Sequence, residues 1–229
     1  MKKTVHIIPV GHTKTTLTEG MRQYPFHKII LVLGKTAGPG EKKAEAVAAE
    51  IRGEFGKVAE IEEIHVELDD IYTAAIAIAK NIRAEEKQGS TVMVNASGSL
   101  RTIGISCYLA CAVTGATLYV ALPAYEKGVL TGIRQVQTVP PAPLKDAGRE
   151  ELLILKYLNK HGTLDSVDTL IQGLRGLEKT AQGFQKERAR MSYHIKKLRK
   201  KGFIETGKDG KNLRTTLTPL GRLIAVGKS

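Results

Sequence analysis

The chain has 229 residues, with 35 Lys and Arg against 23 Asp and Glu and a formal net charge of +12. Apolar residues make up 42% of it, enough for a packed core, which argues against disorder. No segment approaches the roughly 18 consecutive apolar residues of a membrane span, and two cysteines are too few for a disulfide framework or a four-ligand zinc site. We therefore expect a soluble, cytoplasmic protein.

The positive charge is concentrated in the last ninety residues. Residues 1–139 hold 16 Lys and Arg against 14 Asp and Glu, whereas residues 140–229 hold 19 against 9. A nearly neutral part joined to a strongly basic part predicts that the basic part meets a polyanion. A general contribution to solubility is the alternative explanation.

The first 139 residues alternate short runs rich in Val and Ile with segments of helical periodicity. Strands are predicted at Val5–Val10, Lys28–Leu33, Ile61–Glu67, Thr91–Val94 and Thr117–Leu122, and helices at Thr15–Tyr24, Gly40–Phe55, Ile71–Gln88 and Leu100–Val113. This alternation indicates an α/β, Rossmann-like domain with a parallel sheet covered on both faces. A further strand near Leu130–Val139 could lie at the edge of the sheet.

Three prolines in four residues, Pro140, Pro141 and Pro143, interrupt this pattern. They cannot continue a helix or a central strand, and they favour an extended, semi-rigid conformation. We therefore predict a linker at residues 140–148, between a first domain at 1–139 and a second at 149–229. A stiff linker can transmit the relative orientation of two domains.

The second domain has the order of a winged helix-turn-helix: two helices, a long basic helix and a β-hairpin. The first helix is predicted at Arg149–Lys160, and the second begins after a cap at Thr163 or Asp165. The long basic helix is predicted at Lys186–Lys201, and a short last helix begins at Pro219. The hairpin strands are predicted at Phe203–Thr206 and Leu213–Leu217. Met191, Ile195 and Leu198 would form the buried stripe of the basic helix. Residues 173–185 form a longer connection than the usual turn of about three or four residues. The start of the basic helix can therefore be placed only to within several residues.

The stretch MSYHIKKLRKKGFIETGKDGKNLRTTLTPLGR resembles the recognition helix and wing of MarR- or ArsR-like regulators, which implies double-stranded DNA as the partner. Lys and Arg on one helix face neutralise phosphates, and the first half of a recognition helix reaches base edges in the major groove. The predicted base-reading residues are Arg188, Arg190, Ser192, Tyr193 and His194. The predicted phosphate-binding residues are Lys196, Lys197, Lys200 and Lys201 on the helix, with Lys208, Lys211 and Arg214 on the wing, where they meet phosphates or the minor groove.

Ligands of open parallel sheets bind beyond the carboxyl ends of the strands, where the strand order reverses. The loops after the first and fourth predicted strands, residues 9–16 and 95–102, combine small residues, hydroxyls and a cation at a helix start, which favours an anion. Neither loop has G-x-G-x-x-G or Walker spacing, so an ATP site or a dinucleotide-sensing redox regulator is disfavoured. Ser97 lacks the first glycine of a nucleophile elbow, which argues against an α/β-hydrolase.

The sequences VNASGSLRTIGI and IIPVGHTKTTL resemble the loops after strands four and one of CARF domains, the CRISPR-associated Rossmann fold. With the winged helix, the chain resembles the CRISPR-associated transcriptional regulators of archaea. The resemblance implies a homodimer whose two-fold pocket binds a cyclic oligoadenylate, most often the four-membered ring. The ligand-binding positions that it implies are Gly11, His12, Thr13 and Lys14 in the first loop, and Asn95, Ser97, Gly98, Ser99, Leu100 and Arg101 in the second. Ser99 stands where many members have a second glycine.

The leading hypothesis is therefore an antiviral, ligand-responsive regulator that needs neither metal nor cofactor. The effector would change the angle between the two sensor domains of a dimer, and thereby the spacing of the two recognition helices. The alternative is an enzyme, a ring nuclease that cleaves the cyclic ligand in the same pocket. Its catalytic groups would be Thr13, Lys14, Ser97 and Arg101, which can align a ribose hydroxyl and stabilise charge.

Overall fold

A computed structural model describes residues 2–36, 39–98, 101–139, 147–209 and 212–228. The chain forms two compact units, Met1–Ala142 and Pro143–Ser229. Most of the predicted linker, residues 140–146, lies outside the described residues. Within the described ranges, no helix combines the length and the apolar character that crossing a bilayer requires.

The N-terminal unit is a six-stranded, mostly parallel sheet with helices between its strands, as predicted. Its strands are β1 (Thr4–Pro9), β2 (Lys28–Gly34), β3 (Glu60–Val66), β4 (Thr91–Asn95), β5 (Thr117–Glu126) and β6 (Val129–Val139). Its helices are α1 (Lys14–Met21), α2 (Pro39–Phe55), α3 (Ile71–Lys87) and α4 (Arg101–Thr114). The strand order is β3-β2-β1-β4-β5-β6, and only β6 runs antiparallel, which confirms the predicted edge strand.

The sheet is covered on both faces. Ile8 and Leu31 pack with α1 and α2 in one apolar cluster, while their neighbours Ile7 and Ile30 are buried on the opposite face, where α3 and α4 lie side by side. Helix α1 can lie close to the sheet because residue 20 is a glycine. A Cβ at this position would lie only 2.9 Å from the Cβ of Ala121. The order reverses between β1 and β4, so their carboxyl ends border the crevice where such sheets bind ligands.

The C-terminal unit is a winged helix. It contains α5 (Arg149–His161), α6 (Val167–Arg175), α7 (Phe184–Lys200), the hairpin of β7 (Ile204–Asp209) and β8 (Asn212–Leu217), and α8 (Pro219–Gly227). The predicted stripe of Met191, Ile195 and Leu198 is buried, as expected.

Two local details of the winged helix differ from the predictions. The cap of α6 is Ser166, whose hydroxyl accepts the amide N–H of Thr169, and not Thr163 or Asp165. The long segment before α7 contains Gly176 and Gly183 in left-handed conformations, which end one helix and precede the next. Helix α7 therefore begins at Phe184, two residues before the predicted start.

Candidate functional site

A cavity of about 350 Å³ lies at the carboxyl ends of β1 to β4. One wall is the loop between β1 and α1, and the others come from the end of β2, the start of α2, the segment after β3 and the segment after β4. Its lining consists of Pro9, Val10, Gly11, His12, Thr13, Val32, Gly34, Gly40, Glu41, Ala44, Leu68, Gly98 and Ile103. The structure thus brings four of the predicted ligand-binding residues, Gly11, His12, Thr13 and Gly98, to one cavity.

The cavity lies at the N-terminal ends of α1 and α2. Thr13 precedes α1 without capping it, because its side chain accepts no amide N–H of that helix. His12 Nε2 donates a hydrogen bond of 3.1 Å to the carbonyl oxygen of Gly40, which ties the first loop to the start of α2. The first amide groups of α1, which Thr13 does not cap, and the dipole of that helix favour a negatively charged group here.

Asn95 and Ser97 are engaged within the chain. Asn95 is fully buried: its Nδ2 donates to the carbonyl of Leu17 at 3.0 Å, and its Oδ1 accepts both the amide N–H and the hydroxyl of Ser97. The Ser97 hydroxyl also accepts the amide N–H of Ala121 at 2.8 Å. These bonds fix the shape of the loop after β4, and they leave direct ligand contact at the two positions a prediction.

Lys14 is also held by other groups of the chain. Its Nζ lies 3.1 Å from a carboxylate oxygen of Glu50 and 3.1 Å from one of Glu54, both on α2. The hydrogen bonds to these carboxylates raise the pKa of Lys14. Arg101 is exposed at the start of α4, and Ser99 and Leu100 lie outside the described residues.

Six lining residues come from the end of β2, the start of α2 and the segment after β3, which lie outside the two predicted loops: Val32, Gly34, Gly40, Glu41, Ala44 and Leu68. The predicted ligand site included only the loops after the first and fourth strands. The signal was nonetheless present, because β2 and β3 pair in parallel up to Gly34 and Val66 and so end at the same edge. The carboxyl end of every parallel strand beside the switch point is a candidate wall.

A buried polar network connects β1, β5 and the segment between α1 and β2. His6 Nε2 lies 3.1 Å from the carbonyl oxygen of Pro25 and must donate to it, so Nδ1 accepts the Tyr119 hydroxyl at 2.8 Å. Burial lowers the pKa of His6 to about 4 and raises that of Tyr119. A neutral His6 is therefore part of the folded state.

The predicted DNA-binding residues of α7 fall into two groups. The first group, the α5 flank, consists of Arg190, His194, Lys197 and Lys201. Arg190 pairs with Glu150 at 3.0 Å, and Glu150 is also bound by Arg175 at the end of α6. Lys197 and Lys201 lie 3.3 and 2.6 Å from the two carboxylate oxygens of Glu151. Most of the positive charge on this flank is thus compensated by α5.

Glu151 of α5 is the carboxylate that the two lysines of the α5 flank contact. Its side chain is 2% exposed, and it accepts the amide N–H of Gly148 at 3.0 Å in addition to its two lysine contacts. Burial alone would raise the pKa of Glu151, but the contacts with Lys201, Gly148 and Lys197 outweigh it and lower the pKa. The carboxylate therefore stays charged and links the start of α5 to the end of the basic helix.

The second group, the open face, faces solvent and the wing. The predicted residues Lys196 and Lys200 on α7 and Arg214 on β8 form no ion pair with a carboxylate among the described side chains, and neither does Lys186, which was not among the predicted residues. Tyr193 is 60% exposed beside them. Ser192 and Arg188 line a groove between α7, the start of α6 and Leu213 of the wing. The side chain of Lys208 and all of Lys211 lie outside the described part of the chain.

No group of three or more His, Cys, Asp or Glu side chains placed to hold a metal ion occurs in the described ranges. Cys107 and Cys111 are buried on α4, where burial raises the pKa of both thiols, that of Cys111 to about 12.

Solved structures that are similar to this chain include the following three. Protein VC1899 from Vibrio cholerae is 12% identical, with a TM-score of 0.45, over 98% of this chain and 64% of that one. Can2 from Sulfobacillus thermosulfidooxidans, in complex with cyclic tetra-adenylate, is 11% identical, with a TM-score of 0.43, over 98% and 63%. Csm6 from Enterococcus italicus, bound to cyclic hexa-2'-fluoro-hexa-dAMP, is 11% identical, with a TM-score of 0.48, over 87% and 56%. The chain spans less than two thirds of each of these proteins.

Sequence comparisons cover the whole chain. An uncharacterized protein of Archaeoglobus fulgidus is 27% identical over 225 residues, 97% of either chain. The model of the DUF6293 C-terminal winged helix domain matches residues 150–226. The model described as HFX_2341_N-like, N-terminal, matches residues 4–126, more than half of the chain. This chain therefore belongs to the HFX_2341_N-like family and carries a DUF6293-type winged helix at its C-terminal end.

Proposed function

We propose that this chain is a ligand-responsive, DNA-binding transcriptional regulator of CRISPR-associated antiviral defence. Its winged helix binds duplex DNA, and its Rossmann-like unit binds a cyclic oligoadenylate, with cyclic tetra-adenylate as the expected ring. The observation that carries the proposal is the open face of α7, where Lys186, Lys196 and Lys200 remain without carboxylate partners in the described chain. Unpaired cations on a recognition helix neutralise phosphates and release counterions.

The cavity at the carboxyl ends of β1 to β4 supports the ligand part of the proposal. Apolar walls such as Val32, Leu68 and Ile103 suit the face of a base, and the amide groups at the start of α1 suit a phosphate. Two of the segments that line the cavity, those after β1 and β4, are the ones that resemble CARF loops. Hydrogen bonding by Asn95 and Ser97 would give the second loop its binding shape.

The size of the cavity supports the homodimer that we propose. Its volume of about 350 Å³ lies at the low end of the ~300–1,000 Å³ typical of sites for drug-sized ligands. A ring of four nucleotides is larger than such ligands, so one chain encloses only part of it. A second copy across a two-fold axis would enclose the rest.

Glu151 offers a physical route for a change at the linker to reach α7. Its carboxylate accepts the amide N–H of Gly148, at the end of the predicted linker, and holds Lys197 and Lys201 of the recognition helix. A change in the direction of the linker would therefore act on the orientation of α7. Such coupling requires the ligand to bind two states of the dimer with different affinity.

We propose binding rather than cleavage of the ring. Two of the four side chains that a ring nuclease would use, Lys14 and Ser97, are engaged with Glu50, Glu54, Asn95 and Ala121. Labelled cyclic tetra-adenylate incubated with the protein for hours should remain intact. Turnover to linear products would replace this view with the nuclease alternative.

Thr13→Val tests the ligand site. The substitution keeps the shape of the side chain but removes a hydroxyl at the cavity wall, and α1 loses no cap because that hydroxyl caps nothing. We expect cyclic tetra-adenylate to bind about tenfold more weakly in titration calorimetry, the effect of about one hydrogen bond. Thr15→Val, two residues further and outside the cavity lining, is the matched control. Equal affinities of the two variants and the wild type would remove Thr13 from the site.

A further inference from the structure

A groove of about 420 Å³ runs between the first turn of α6, the first half of α7 and the wing. Asp168 contributes one wall, Arg188 and Ser192 a second, and Leu213 of β8 a third. Residues in the first half of a recognition helix are the ones that reach base edges. The side chains of this groove are therefore those that the proposed DNA interface would place nearest to the bases.

Asp168 is a fixed anion in this groove. Its side chain is 16% exposed and lies in the first turn of α6, where the helix dipole favours a negative charge. One carboxylate oxygen lies 3.1 Å from Nζ of Lys179, and the other lies 2.9 Å from Nε of Arg188. The second oxygen, Oδ1, is buried and accepts no hydrogen bond from the described residues, so the nearby charge of Arg188 compensates it.

Arg188 differs from Arg190 in which of its nitrogen atoms are engaged. Arg190 directs Nη2 to Glu150 at 3.0 Å and Nη1 to Glu187 at 3.6 Å, so its outer edge is covered. Arg188 contacts Asp168 through Nε, and its two outer nitrogens, Nη1 and Nη2, form no ion pair with a described side chain. The side chain is half exposed. Its outer edge remains available to a partner.

We propose that Arg188 reads a guanine in the major groove and that Asp168 is the positioning residue that aims it. Two parallel N–H donors of an arginine match O6 and N7 of guanine, and this is the commonest specific contact between proteins and DNA. An arginine held beside a fixed carboxylate by an ion pair has fewer conformations to lose when it binds, so the contact gains specificity. The inference rests on the proposed DNA-binding function and adds the base that the site selects.

The test begins with selection of duplexes by the full-length wild-type chain from a randomised pool of about three helical turns, the span of two half-sites. Each guanine of the selected duplex is then replaced in turn by 7-deazaguanine, which lacks the N7 acceptor. For the wild type we expect one guanine per half-site whose replacement weakens binding about 10- to 150-fold, the range for one hydrogen bond to a charged group. For Arg188→Ala, which should bind the selected duplex that much more weakly, the same replacement should have no further effect.

Asp168 and a control complete the test. Asp168→Asn should lower the preference for that guanine over other bases, and Asp168→Glu should restore part of it, whereas binding to unselected duplex should change little. The unselected duplex also reports on folding, because a misfolded variant would lose all binding. Lys186→Ala, on the same helix, should weaken binding to all duplexes equally. An Arg188→Ala variant that behaves like Lys186→Ala would overturn this inference alone. A wild-type chain that binds no duplex would overturn the proposed function and this inference together.

Discussion

The two sides of α7 carry similar numbers of cations in different environments. On the α5 flank, Arg190, Lys197 and Lys201 pair with Glu150 and Glu151, and these contacts hold the helix against α5. On the open face, Lys196 and Lys200 have no carboxylate partner among the described side chains. Under the proposed function, net charge predicts which unit meets a polyanion, whereas ion pairing predicts which surface of that unit does so.

The same contrast recurs in the N-terminal unit. His6, Tyr119, Asn95 and Ser97 have their polar atoms engaged inside the protein, and the cavity presents other groups. Substitutions of inward-facing groups should therefore reduce stability, and substitutions of outward-facing groups should reduce binding.

The largest effect is expected from His6 at acidic pH. The unfolded chain binds a proton at His6 below about pH 6.5, whereas in the folded protein burial holds the pKa at about 4. Stability from this group is complete above pH 6.5 and is lost as the pH falls toward 4, by about 2–3 kcal/mol near pH 4.5. Urea denaturation followed by circular dichroism at pH 7 and pH 4.5 measures the loss.

His6→Asn should be less stable than the wild type at pH 7 and should lose less on acidification. His65→Asn, at an exposed position of β3, is the control and should keep the wild-type dependence on pH. Parallel losses in the wild type and His6→Asn would show that His6 is not the inward-facing group that sets acid stability.

A smaller loss of stability is expected for Glu151→Gln. The substitution removes the charge that compensates Lys197 and Lys201 and weakens the bond to Gly148. Hydrogen bonds to charged groups are worth about 1.5–3 kcal/mol, and the lysines can turn partly to water, so we expect about 2 kcal/mol. Thermal denaturation against Glu205→Gln, an exposed glutamate on β7, measures the effect. An unchanged melting temperature would mean that the α5 flank does not hold the helix.

The smallest effect in free energy distinguishes the two sides directly. Replacement of Lys196 and Lys200 together by Ala should weaken DNA binding about tenfold or more and lower the slope of log K against log salt by about two, because each removes about one phosphate contact. Stability should stay within about 0.5 kcal/mol.

The matched double variant replaces Lys197 and Lys201 by Ala. It should change the salt slope little and reduce stability, because these lysines face Glu151. Equal salt slopes for the two double variants would show that the α5 flank also contacts DNA.

The sequence predicted the order and type of the elements because their periodicity and turn residues are local signals. Val5–Val10 and the stripe of Met191, Ile195 and Leu198 are examples of patterns that need no tertiary information. Ser166 was missed as the cap of α6 because Thr163 and Asp165, which lie close to it, are equally good capping residues. The family resemblance located two walls of the cavity.

The pairing of charges could not be predicted, because it depends on contacts between distant parts of the chain. Glu151 lies 46 and 50 residues from Lys197 and Lys201 in sequence, and Lys14 meets Glu50 and Glu54 across two helices. The CARF resemblance implied ligand contact for Asn95, but it could not show that the side-chain amide of Asn95 donates to the carbonyl of Leu17, 78 residues away. Helical periodicity alone gave both sides of α7 the same interpretation.

We propose that a cyclic oligoadenylate in the N-terminal unit controls DNA binding by the C-terminal one. The most direct measurement is the affinity of the full-length protein for a selected duplex, by fluorescence anisotropy over a range of salt, with and without saturating cyclic tetra-adenylate. We expect heat of ligand binding in titration calorimetry and a change in DNA affinity of at least fivefold, the lower end of common allosteric coupling. Identical DNA affinities at every salt concentration, together with no heat of ligand binding, would contradict it.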